Sequence, residues 1–301
     1  MTHITLLTQQ SYLNPPKGNP YTDNILLERK LLTDALEAKG LTVTTTYWDN
    51  PDYDWSQTKA VVFRTIWDYF ERYDAFSLWL ETVKTKTQLI NSYPLIQWNI
   101  DKHYLADLSN KGIAIVPTVF VDTGNHQSLA EICKQQDWTD VVIKPAIAGG
   151  AFETYKVKAH ERDEYESRFK KLVAVRDMLV QPFIKTITSK GEASLMVFNG
   201  QYTHAILKKA KAGDYRVQDD YGGTVHPYQP TAAEIQFAEQ VFNCCDPMPA
   251  YGRADIVWDK NDNILLGELE IIEPELWVRN HLESATAFAE GILQLIKGLM
   301  E

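Results

Sequence analysis

Glu268 and Glu270 stand one residue apart inside the otherwise apolar run 265–272. Alternate residues of a strand share a face, so a strand here projects both carboxylates to one side and Leu269 and Ile271 to the other. Upstream, residues 253–258 (Arg-Ala-Asp-Ile-Val-Trp) also read as a strand, and Asp259-Lys260-Asn261-Asp262-Asn263 supplies turn residues for a hairpin. If the hairpin loop holds an even number of residues, Arg253, Asp255, Glu268 and Glu270 project from one face. Three acids so close repel one another unless cations hold them or a proton neutralises one. Hard oxygen ligands of this kind suit Mg2+, which keeps waters and bridges to substrate phosphates. A solvated hairpin face with an ordinary Arg253 ion pair is the plainer alternative, and these residues alone leave both open. On repulsion alone, neutralising either Glu268 or Glu270 should relieve the metal-free protein.

Lys144 ends the apolar run 141–145 just before a loop of small residues containing Gly149-Gly150. A strand-borne lysine is costly to bury unless it meets an anion. Small residues let backbone N–H groups approach phosphate oxygens. The signal is weak alone, and no Gly-Lys-Ser/Thr follows to make a Walker loop.

The elements that must carry these residues begin with a βαβ alternation. Residues 4–8, 41–46 and 60–63 read as strands. Asp23 is placed to cap a helix whose apolar positions (Ile25, Leu26, Leu32, Leu36) recur at helical spacing until Gly40, and 73–83 reads as a second helix. This predicts an open, mostly parallel sheet with ligands beyond the carboxyl ends of its strands. Arg64-Thr65-Ile66-Trp67-Asp68-Tyr69 occupies such an end, which makes Arg64 and Asp68 candidate substrate contacts; a strand-end ion pair is the alternative. No dinucleotide glycine pattern follows either strand end, which disfavours a nicotinamide enzyme. A new unit begins near Trp98, with helices over 101–112 and 128–135 and a solvent-facing helix over 160–171. Strands over 141–145, 155–157 and 178–183 accompany them. The last 120 or so residues hold antiparallel strands, a helix over 231–242, the acidic hairpin and a closing helix over 285–299.

Composition is that of an ordinary globular chain: 301 residues, 45% hydrophobic and 23% charged. The formal charge of −10 argues against nucleic acid or an anionic membrane as partner, while leaving room for a local phosphate site. Cys133 and the vicinal Cys244-Cys245 offer neither a disulfide framework nor metal-ligand spacing. No signal-like N-terminus and no stretch near the ~18 apolar residues of a membrane span is found, so a cytoplasmic protein is expected. Trp48, Trp55, Trp67 and Trp79 read as packing residues, and His204 and His226 as structural or surface residues rather than metal ligands.

The order of the pieces is more specific than any one of them. Downstream of Lys102 come Lys144-Pro145 with its glycine loop, Gln181-Pro182-Phe183-Ile184, Gly191-Glu192-Ala193-Ser194, Lys208, then Gly213-Asp214-Tyr215-Arg216-Val217-Gln218, and finally Asp255, Glu268 and Glu270. Over nearly the whole chain this resembles the ATP-grasp superfamily, in its glutathione-synthetase-like branch, and most the O-ureidoserine cyclo-ligase type of cycloserine biosynthesis. The segments 64–69 and 268–274 look typical of that subgroup.

The resemblance implies a mixed α/β (α+β) ATP-grasp fold. It would comprise a Rossmann-like, parallel-sheet pre-ATP-grasp domain for substrate over 1–97 and two ATP-grasp subdomains over 98–181 and 182–301, the second with the metal site. It implies ATP and Mg2+ as cofactors, two ions, with Mn2+ able to substitute. Lys102 and Lys144 match the lysines that hold ATP phosphates, and Gly149 and Gly150 the loop over them. Gln181, Phe183 and Ile184 match the adenine hinge, and Glu192 a ribose ligand. Lys208 matches a further phosphate contact, against the alternative that 208–211 is a solvated basic loop. Asp255, Glu268 and Glu270 match the metal acids, and Arg216 and Arg253 the arginines facing the transferred phosphoryl. The last metal position is usually asparagine; Glu270 makes the site more negative, which favours two divalent ions. The implied partners are a small carboxylate substrate and an amine-type nucleophile, coupled within one molecule or between two, with homo-oligomerisation open. An ATP-binding regulatory module without turnover and a small-molecule kinase share the same site residues.

Overall fold

In the computed structural model, residues 2–211, 213–217 and 222–297 are described. Gln218 of the 213–218 motif and the end of the expected closing helix, Leu299, lie outside them. The first third builds a four-stranded parallel sheet from β1 (Thr2–Thr8), β2 (Leu41–Tyr47), β3 (Ala60–Thr65) and β4 (Gln88–Ile90) in the order β2-β1-β3-β4. Helices α1 (Gln10–Leu13), α2 (Pro20–Ala38) and α3 (Tyr73–Val83) connect these strands. The strand order reverses between β1 and β3, so the ligand-prone crevice lies where these two strands end, at Thr8 and Thr65. Helix α2 starts at Pro20, capped by Asn19, rather than at Asp23, which sits in its first turn. Proline lacks the N–H that a first turn leaves unpaired, and its fixed φ suits that position.

Next come α4 (Tyr93–Ile100), α5 (Tyr104–Asn110), β5 (Val119–Val121), α6 (Leu129–Gln136), β6 (Val141–Pro145), β7 (Tyr155–Val157), α7 (Arg162–Val173) and β8 (Met178–Pro182). Their strands pair antiparallel in the order β5-β8-β6-β7. A capping box of Ser128 and Glu131 opens α6. Helix α7 faces solvent on one side only, since Phe169, Leu172 and Val173 enter the core beneath it.

The remaining strands are β9 (Glu192–Phe198), β10 (Gln201–Lys209), β11 (Thr224–Tyr228), β12 (Tyr251–Trp258) and β13 (Ile264–Glu270), with helices α8 (Ala232–Asn243) and α9 (Ser284–Lys297). They form an antiparallel sheet in the order β11-β10-β9-β12-β13. Helix α9 returns to α2, and one core unites Leu32 and Leu36 with Ala250, Phe288 and Ile292. The N-terminal sheet is therefore completed by the C-terminal helix. The expected division at 97 falls inside α4, and that at 181 one residue before β8 ends. Among the described residues no helix is long and apolar enough to cross a membrane.

Buried side chains lock the parallel sheet to the acidic hairpin. Asn91 donates to the carbonyls of Tyr251 (3.0 Å) and Ile271 (2.6 Å) and accepts from Ala250 N–H; Asn99 bridges Leu269 O and Ile271 N–H. The Tyr251 hydroxyl donates to Phe63 O at 2.8 Å. Close packing at Gly252 leaves no space for a side chain, because a Cβ there would lie 2.7 Å from Ile271 and 2.8 Å from Glu270 O.

Candidate active site

The hairpin loop between β12 and β13 holds five residues, 259–263. An odd loop with straight pairing would set Asp255 opposite Gly267 and turn both glutamates to the other face. A β-bulge at Gly267 restores them: Ile256 pairs with Leu266, but Asp255 pairs with Glu268 and Arg253 with Glu270. The four expected residues share a face by virtue of the bulge, not the loop length.

On that face the acids are interlocked with cations. Arg253 Nε and Nη2 donate to the two oxygens of Asp255 at 2.8 and 2.9 Å, while Nη2 also reaches Glu270 and Nη1 donates to Glu275 O at 3.2 Å. Asp255 further accepts from Ser194 Oγ at 2.5 Å and from Lys208 Nζ at 3.1 Å, and Lys208 pairs with Glu192 as well. Lys208 is thus a buried strand residue of β10, not part of a solvated basic loop. Glu268 lies 3.2 Å from Lys102 Nζ, which also donates to Ala148 O. Lys144 is half-buried at the end of β6 and makes no ion pair among the described residues; Glu268 is its strongest charged neighbour.

The electrostatics separate the three acids. Burial acts to raise all of them. For Asp255 the Arg253 and Lys208 charges overcome it and hold the carboxyl far below the usual range. For Glu268, Lys102 and Lys144 bring the balance below its ordinary value. Glu270 goes the other way, up to about 8, because burial joins with Glu268 and Asp255 to outweigh Arg253, whose charge is shared with Asp255. Neutralising either glutamate is therefore not equivalent, contrary to the symmetry that repulsion alone suggests. Burial and the Lys208 ammonium oppose each other at Glu192, with a net rise, and burial lowers Lys144. The donor set suits a hard divalent cation by chemistry, being three carboxylates on neighbouring strands. Their oxygens are here turned onto Lys and Arg partners. Among the described residues the group whose ligand atoms close within 4.8 Å is two aspartates and a histidine, Asp101, Asp177 and His103, which sequence reasoning did not single out. Its members carry internal bonds, Asp101 to His103 (2.6 Å) and Asp177 to Thr123 (2.6 Å).

Gly149 and Gly150 follow β6 in a loop pinned at its base by Lys102 N–H to Ala146 O (3.0 Å). Gly150 has φ +54°, and a Cβ on Gly149 would sit 2.8 Å from the Phe70 ring. Phe70 also packs against Phe152 at 5.6 Å, so the N-terminal segment touches the glycine loop. In the hinge, Gln181 Nε2 donates to Thr118 Oγ1 at 2.8 Å. Phe183 N–H is committed to Asp140 O at 2.9 Å, which removes it as an adenine donor; the Ile184 N–H carries no hydrogen bond among the described residues.

The segment 64–70 meets the site from the other side. Arg64, 6% exposed, donates to Glu28 at 3.0 Å and to Pro274 O at 2.7 Å, and Asp68 accepts from Trp48 Nε1 (2.9 Å) and Arg72 (3.2 Å). Both have the internal partners of the strand-end alternative. Trp67 Nε1 donates to Glu273 O at 2.9 Å, and burial pushes the Glu273 carboxyl up to about 7. Arg253 lies over the Trp277 ring, 5.3 Å from its centroid. Arg216 pairs with Asp214 at 2.8 Å beside Tyr215, whose ring meets Phe183.

Sequence reasoning singled out none of Ser194, Phe70, Glu273 and Trp277. The hairpin alternation ends at Glu270, and nothing local ties the Glu273 carbonyl to Trp67. Trp48 and Trp55 pack as expected in the core. Burial drives His204 down to about 4; it stacks on His281 at 5.1 Å, a structural arrangement.

Residues 4–91 match the family model described as the D-cycloserine synthetase DcsG N-terminal domain, and residues 105–271 match the RimK-like ATP-grasp domain. The cycloserine biosynthesis protein DcsG of Streptomyces lavendulae is 28% identical over 284 residues, covering 88% of this chain and 93% of that protein. A crystal structure of D-cycloserine synthetase DcsG superposes with a TM-score of 0.84 at 25% identity, covering 98% of this chain and 99% of that one. The fold is shared with D-alanine–D-alanine ligase from Bacillus anthracis (TM-score 0.66, 12% identity, 99% and 98% covered). The chain belongs to the RimK-like ATP-grasp family and is an ATP-dependent, ADP-forming carboxylate–amine ligase.

Proposed function

We propose that this ligase activates a small, amino-acid-like carboxylate as an acyl-phosphate and that an amine-type nitrogen, in the same molecule or a second one, displaces the phosphate. The observation that carries this reading is the interlocked set of Asp255, Glu268 and Glu270 with Lys102, Lys208 and Arg253, beside an unpaired Lys144 and a glycine loop. Lys102, Lys144 and Lys208 would face phosphate oxygens, with Gly149 and Gly150 closing over them and Arg216 adding positive charge. Gln181 to Ile184 would frame adenine, through the free Ile184 amide, and Glu192 would take the ribose. Asp255, Glu268 and Glu270 would hold two Mg2+ or Mn2+ ions, which neutralise charge between carboxylate and triphosphate.

The protein's own part is orientation and charge. A substrate carboxylate oxygen bonds to the γ-phosphorus as the bond to ADP breaks; Arg253 supplies a fixed guanidinium beside that charge. Arg64 and Asp68 shape the carboxylate side indirectly, Arg64 through Pro274 and Asp68 through Trp48 and Arg72. Similarity to DcsG supports an amino-acid-like acid, and free cysteines suit a reducing cytoplasm. The test is a panel of amino acids and small carboxylates, O-ureidoserine included, scored by ADP release and product mass. Sustained ADP release with an amide or ring product is expected. A phosphorylated hydroxyl product would identify a kinase, and ATP binding without turnover across the panel a regulatory module.

A further inference from the structure

Trp277 carries two costs that packing alone does not explain. Its backbone lies in the left-handed region, at φ +43°, which a bulky side chain rarely adopts. Its indole N–H is buried with no hydrogen-bond partner among the described residues. A leucine or phenylalanine would fill the same core without leaving that donor unpaired. What the indole adds is an aromatic face, the best of the side-chain rings at holding a cation. Arg253 lies over it at 5.3 Å, and both residues are buried.

The left-handed turn is held from α2. The two carboxylate oxygens of Glu28 accept from the N–H groups of Leu276 and Val278 at 3.3 and 3.2 Å, one on each side of Trp277. Arg64 in turn donates to Glu28 at 3.0 Å and to Pro274 O at 2.7 Å. The ring thus has a fixed place against Arg253. The guanidinium is fixed along its edges too: Nε and Nη2 meet Asp255, Nη2 also meets Glu270, and Nη1 meets Glu275 O. Four of its five N–H donors are taken, and among the described residues the fifth, on Nη1, is not.

Resting on the ligase reading, in which Arg253 faces the transferred phosphoryl group, we propose that Trp277 is a positioning residue for Arg253. In-plane bonds fix the edges of a guanidinium but leave its tilt soft. A ring against one face sets that tilt, and with it the direction of the remaining Nη1–H. The alignment matters most as charge develops on the phosphoryl oxygens, so Trp277 acts on the chemical step rather than on ATP binding. Glu28 and Arg64 contribute by holding its backbone.

The test reads the rate of ADP formation in a single turnover beside the affinity for a nonhydrolysable ATP analogue, with O-ureidoserine or the panel acid that turns over in its place. Trp277→Leu should slow ADP formation about 5- to 30-fold with affinity within about twofold of the parent's, and Trp277→Phe should recover most of the rate. Tryptophans of increasing ring fluorination placed at 277 keep the shape and withdraw π density. The rate should fall step by step along that series, which carries the test if Trp277→Leu does not fold by circular dichroism. Equal losses of rate and affinity in Trp277→Leu, or a rate indifferent to fluorination, would overturn the assignment. Arg253→Lys keeps the charge but not the plane, and it separates this assignment from the reading beneath it. A slowed Arg253→Lys beside a flat fluorine series would remove the role of Trp277 alone. Arg253→Lys at the parent's rate would instead remove the role given to Arg253, and this assignment with it.

Discussion

Glu270→Gln should stabilise the metal-free protein, and Glu268→Gln should destabilise it. An unfolded Glu270 titrates near 4.5, whereas the folded carboxyl is raised to about 8 by burial and by Glu268 and Asp255. At pH 7 the fold must therefore carry a proton that the unfolded chain has already released. Across the roughly 2.5 pH units involved this costs at most about 3 kcal/mol. The side chain is 29% exposed, so solvent screening leaves a gain of about 1–2 kcal/mol for the glutamine variant. Arg253 keeps its two bonds to Asp255 in that variant. The sign with pH follows from the raised value. Glu270's contribution is fully present below about 4.5 and lost as pH rises through about 8, so the variant's advantage should grow from pH 5 to pH 8. Glu268 has the reverse sign: Lys102 and Lys144 hold it low despite burial, and removing its charge leaves the buried Lys102 without its partner acid. Urea denaturation in EDTA at pH 5, 7 and 8 reads both effects, and both variants should lose Mg2+-dependent ADP release. A Glu270→Gln protein less stable than its parent at pH 8, or a stabilised Glu268→Gln, would refute the electrostatic argument.

Lys144→Ala should weaken a nonhydrolysable ATP analogue by about 10- to 100-fold in calorimetric titration, the loss of one charge-assisted contact, with an unchanged melting temperature. Asp255→Asn should cost about 3–5 kcal/mol in urea denaturation, since Arg253 and Lys208 then lie buried without their shared carboxylate. Gly149→Ala places a Cβ 2.8 Å from the Phe70 ring and should lower kcat/KM for ATP by up to about 100-fold, with Phe70→Leu restoring much of it.

How far the site was legible depended on whether its geometry was local. The alternation of Glu268 and Glu270 follows from the period of a strand, whereas the capping boxes at Ser128 and Thr231 emerge from the structure. The face shared with Arg253 and Asp255 was a matter of parity, and a loop of odd length would have reversed it without the bulge. Gly267 is the residue that marks that bulge in hindsight. For Lys208 the solvated-loop alternative stood beside the phosphate contact because the exposed Lys209 and Lys211 follow it, while its own partners, Glu192 and Asp255, come from other strands. Arg64 and Glu273 were opaque for the same reason. Their partners lie far off in the chain, and no spacing rule connects residue 64 to Pro274 or residue 67 to Glu273.

The central claim is that a carboxylate is activated through phosphorylation, and the fate of its oxygen tests this most directly. The substrate acid, labelled with 18O in both carboxylate positions, is turned over with unlabelled ATP and Mg2+, and the released phosphate is analysed by mass. Acyl-phosphate formation followed by displacement transfers one 18O to inorganic phosphate for each amide or ring formed. Unlabelled phosphate accompanying full product formation would contradict the account.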